Sequence, residues 1–112
     1  MPIIRQGDVL LISTDKTGDE AAPKDPRGLV LAEGETSGHY HAVTGRGHKL
    51  YQLRNTSDRL LVVGKAGADL RVIGGGSGGV DRHTPVSLAP GKYLVRVQRS
   101  WSSELASRQV SD

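Results

Sequence analysis

The chain has no cysteine and no phenylalanine, and only one tryptophan, one methionine and three tyrosines among its 112 residues. Without cysteine there are no disulfides and no thiolate metal sites, so a transition metal would have to be held by histidine, carboxylate or amide donors. With so few large aromatics, the core falls to valine, leucine, isoleucine and tyrosine, a set that suits pleated strands better than helices. No apolar run approaches the roughly 20 residues of a membrane-spanning helix. The first residues, MPIIRQGDVLLISTDK, lack a basic stretch followed by a long apolar one. The expectation is therefore a chain with no signal peptide and no membrane association, placed in the cytoplasm or in a particle assembled there.

The same scarcity bears on nucleic acids. Fifteen Lys and Arg residues are scattered among twelve carboxylates, giving a formal charge of +3, and few rings are present to stack on bases. This is a poor match to a single-strand binder. Nucleic-acid recognition would require Arg71, Arg82, Arg96 and Arg99 to form one exposed stripe.

What is present reads as one all-β domain. The length fits a single domain. With 36% hydrophobic residues the core is small, and a bound metal or self-association would add to its stability. A first strand is predicted over 6–12, with Val9 and Leu11 on one face. Further short strands follow at 29–33, 38–43, 48–53, 59–64, 69–73, 84–88 and 92–99. Turn signals TGRG (44–47), NTSD (55–58), GKAG (64–67) and APG (89–91) separate them. Many short strands at this spacing predict a sandwich or small barrel over 1–101. The polar segment 13–28, with two prolines and no periodicity, is expected to be a long loop, lid or interaction arm. Residues 102–112 form a C-terminal tail.

Residues 74–79, GGGSGG, contain a formal G-x-G-x-x-G after a strand. VDRHTP follows instead of a helix, so the phosphate-binding helix N-terminus of a dinucleotide site is missing, and a flexible loop is expected.

The sharpest chemical signal is GETSGHYHAV, residues 34–43, which places His39 and His41 one residue apart. On a strand, positions i and i+2 face the same way, so the two imidazoles converge. His83 is a third candidate. Three imidazoles on rigid strands with an open position suit Zn²⁺, Fe²⁺, Mn²⁺ or Ni²⁺. Glu35, Gln98 and His48 are candidate fourth ligands. The alternative for His39 and His41 is a hydrogen-bonded polar pair without metal.

These residues carry a resemblance. His-x-His in a Gly-rich segment, then a later histidine near a Pro-Gly turn and a last strand, resembles the cupin superfamily of small β-barrels and jelly-roll sandwiches. The set RQGDVLL, LAEGETSGHYHAV and HTPVSLAPGKYLVRVQR is also similar to a group of small bacterial and phage proteins. The resemblance implies a cupin-like barrel in which His39 and His41 are paired metal ligands and His83 is a third. The chain departs from it in three places. AVTGRG supplies no glutamate after His-x-His, Tyr93 stands near the place of the second-motif histidine, and Arg82 occupies a position where an acidic residue is expected. A cation there opposes metal binding by charge repulsion.

Two functions follow as expectations. One is a metal-binding barrel that binds or acts on a small molecule, with Glu33, Glu35 and Tyr40 the nearest candidates for a general base; the sequence does not separate enzyme from binding protein. The other is a structural module, a homo-oligomer or part of a larger assembly such as a phage capsid decoration or another virion protein. In that reading Trp101, at the head of the polar tail, is a candidate interface anchor.

Overall fold

Gly7 and Asp8 turn the chain inside the segment 6–12, where the pattern predicts one uninterrupted strand. Gly7 has φ 57°, the left-handed conformation that favours glycine at the first central position of a two-residue hairpin. The result is two antiparallel strands, β1 (Ile3–Gln6) and β2 (Val9–Ser13), with Gln6 opposite Val9.

A computed structural model describes residues 3–34, 38–54, 56–74 and 85–98. Beyond β1 and β2 it contains β3 (Glu20–Ala21), β4 (Leu29–Glu33), β5 (His39–Thr44), β6 (Lys49–Gln52) and β7 (Arg59–Val63). The last three strands are β8 (Ala68–Gly74), β9 (Val86–Leu88) and β10 (Gly91–Val97). Among the described residues there is no helix.

Among the described residues the strands form two antiparallel sheets. One has six strands in the order β1-β2-β10-β7-β6-β3, the other four in the order β4-β5-β8-β9. Their inner faces share one core, with Val9, Leu11, Leu61, Val63 and Val95 from the larger sheet meeting Leu31, Val43, Leu70 and Leu88 from the smaller. The domain is a small β-sandwich. Burying such side chains contributes about 1.5–3 kcal/mol each.

The segment 13–28 differs from the predicted free loop. Ser13 completes β2, and β3 pairs with β6 through Glu20 opposite Gln52 and Ala21 opposite Tyr51. The Asp19 and Ala22 N–H groups donate to the Gln52 and Leu50 carbonyls at 3.0 Å, and the Asp19 carboxylate accepts the Arg54 N–H at 2.5 Å. The segment lies along the edge of β6 because this pairing satisfies backbone groups that no apolar side chain announces. The tail 102–112, Trp101 and most of the Gly-rich stretch 74–79 lie outside the described residues.

Candidate functional site

Strand β5 turns its histidine face into the sandwich, and Ala42 on its other face is buried as well. His39, His41 and Val43 are 7%, 4% and 6% exposed, and they stand opposite Gly74, Val72 and Leu70 of β8. The i, i+2 spacing therefore directs both imidazoles into the sandwich, next to Val43 in the core.

Gln6, a residue that sequence reasoning missed, reaches the same place from the other sheet. It is 3% exposed. Its amide nitrogen donates to the Leu70 carbonyl at 2.8 Å, and its amide oxygen lies 2.9 Å from His41 Nδ1. With the amide nitrogen committed to a carbonyl, the oxygen faces the ring and can only accept. Nδ1 must then carry the proton, which leaves the lone pair of the neutral imidazole on Nε2. Ligand histidines are commonly oriented this way, with one ring N–H held by an oxygen and the other nitrogen presented to a metal.

His39 shows the complementary feature. Its Nδ1 is buried with no hydrogen-bond partner. A buried polar atom left unpaired costs about 1–3 kcal/mol, so this ring carries an unsatisfied nitrogen beside a neighbour whose tautomer is set.

The remaining candidates are dispersed. His48 precedes β6, beyond the Thr44 end of β5 and about 10 Å along that strand from His41 at ~3.3 Å per residue. Its Nδ1 accepts the Gly64 N–H at 3.0 Å. Gln98 follows β10 and is exposed, its N–H donating to the Asp8 carbonyl at 2.7 Å. Tyr93 and Val95 take the buried face of β10, so the alternation turns Leu94, Arg96 and Gln98 away from the core, and Gln98 is not brought to the histidine pair. Tyr93 donates its hydroxyl to the Ala89 carbonyl at 2.6 Å. His83, Glu35 and Arg82 lie outside the described residues. Among the described residues, no three His, Asp or Glu side chains gather to hold a metal.

The candidate bases on the described strands are engaged elsewhere. Glu33 pairs with Arg27 at 2.6 Å, as does Asp25 at 2.9 Å. The Arg27 guanidinium also lies over the Tyr40 ring, 4.5 Å from its centroid. Hydrogen bonds from Arg27 hold the Asp25 carboxyl down at about 2 and lower that of Glu33. Arg71 and Arg96 lie on strands of different sheets, and Arg96 pairs with Asp58 at 2.8 Å, so these two cations do not form one stripe.

A family model described as a domain of unknown function (DUF8820) matches residues 5–98, most of the chain. The chain belongs to the DUF8820 family. The DUF8820 match runs from within β1 to just past β10 and so takes in Gln6, His39, His41 and His83, while Trp101 and the tail fall beyond it. No curated protein and no solved structure matches the chain.

Proposed function

We propose that this DUF8820 protein is a metal-binding β-sandwich of cupin-like type, in which His39 and His41 hold a divalent transition metal. His83 is the third donor in this reading, on sequence grounds. The observation that carries it is the Gln6 bridge, which keeps the His41 proton on Nδ1 and so places the lone pair, the donor a metal needs, on Nε2. The unpartnered Nδ1 of His39 on the same face supports it.

The residues fit the group in donor chemistry: two imidazoles with no cysteine, a set compatible with Zn²⁺, Fe²⁺, Mn²⁺ or Ni²⁺. When bound, the metal would supply a Lewis acid for a small molecule occupying an open position. The protein's own part is orientation. Gln6 holds the His41 ring, and the pairing of β5 with β8 fixes both imidazoles relative to each other.

Imidazole ¹⁵N NMR tests this directly. In metal-free protein the expected spectrum shows His41 protonated at Nδ1, and added Zn²⁺ shifts resonances of both His39 and His41. A His41 proton on Nε2, or Zn²⁺ that leaves both rings unmoved, counts against the proposal.

A further inference from the structure

A second place in the molecule asks for a ligand of different chemistry. A cleft of about 730 Å³ opens between the two sheets where β4 faces β6, under the 22–28 segment. Its volume falls within the usual range for small-molecule sites, roughly 300–1,000 Å³. Leu29, Val43 and Leu50 give it apolar wall, and Arg59, His48 and Lys24 also line it. Neither His39 nor His41 does, so the cleft is independent of the metal reading.

Arg59 is the decisive group. It projects from β7 to the other sheet, where its guanidinium donates to the main-chain carbonyls of Val30 (3.5 Å) and Leu31. These carbonyls are turned toward it where the register of β4 against β5 shifts between Val30 and Ala32. A guanidinium has five N–H donors and cannot shed its charge. Two donors are used here, both on uncharged carbonyls, and among the described residues no carboxylate pairs with Arg59. The group is about half-buried, and loss of water lowers its pKa. A partly desolvated cation without a counter-ion is costly, and an anion beside it removes that cost.

His48 also lines the cleft. Since Nδ1 accepts the Gly64 N–H, the neutral ring carries its proton on Nε2. That atom is buried and has no partner. Lys24 adds positive charge at the rim. Asp25, the carboxylate lining the cleft, is already paired with Arg27.

We propose that this cleft binds a small organic anion with an apolar body, its carboxylate or phosphate on Arg59 and its hydrocarbon part against Leu29, Val43 and Leu50. Titration of ¹⁵N-labelled protein with octanoate, octyl phosphate and 1-octanol tests it. Saturable shifts at the amides of Leu29, Val43 and Leu50 are expected with either anion, and the better of the two identifies the anionic group. Binding is expected to weaken at least tenfold in Arg59→Met and several-fold in Lys24→Glu, an exposed rim change that spares the fold. A His39→Ala/His41→Ala variant is expected to bind as the parent does, which separates failure here from failure of the metal reading. Octanol binding as tightly as the anions, affinity unchanged in both Arg59→Met and Lys24→Glu, or no saturable shift with either anion overturns the proposal.

Discussion

Gln6→Leu is expected to weaken Zn²⁺ binding about 10–100-fold, the usual effect of removing a group that orients a ligand histidine. The same change strips a partner from two buried groups, the Leu70 carbonyl and the His41 Nδ1–H. At about 1–3 kcal/mol for each of the two groups, it is expected to lower unfolding stability by about 2–6 kcal/mol. Competition with a chelating indicator reads the affinity, and urea denaturation of metal-free protein reads the stability. The two readouts separate the roles of the residue. Lost stability with unchanged Zn²⁺ affinity would make Gln6 a bridge between the sheets and nothing more.

Gly74→Ala is expected to be far more damaging than Gly47→Ala, although both glycines have positive φ, 91° and 82°. Each substitution forces an L side chain into left-handed space, at about 1–2 kcal/mol. At Gly47 a Cβ would meet nothing within 4 Å, whereas at Gly74 it would run into the Gly38 carbonyl. That atom is backbone and cannot rotate away, and Gly38 leads directly into His39, which pairs with Gly74. Gly47→Ala should therefore cost about the strain alone. Gly74→Ala should lower the urea midpoint at least twice as much and move the His39 ring resonances. Equal costs at the two sites would mean that the close approach of β8 to the start of β5 has no energetic weight.

The convergence of His39 and His41 on one face was legible because the side-chain period of a strand is two whatever the tertiary context. The burial of Val9 and Leu11 was legible for the same reason. Position 6 was not, because Gln6 finds its partners 35 and 64 residues away, across the sandwich. One local cue was present: Gly7-Asp8 is hairpin chemistry, and placing the turn there makes Gln6 a lone polar residue at an inward position after Ile4. β3 had no cue, since both of its residues are exposed and its pairing rests on backbone groups alone. Gln98 shares its face of β10 with Leu94 and Arg96, and the structure buries the other face, that of Tyr93 and Val95, as the arginine on the first face favours. Arg59 looked like the polar start of a strand; its role comes from the shift in β4, which no local pattern records.

The most direct test of the central claim is the metal content of the protein purified without a His-tag, measured by elemental mass spectrometry beside His39→Ala/His41→Ala. About one equivalent of Zn, Fe, Mn or Ni in the parent, lost in a variant that keeps its fold, is the predicted result. No metal in the parent, or the same content in the double variant, would contradict it and leave His39 and His41 as a buried polar pair.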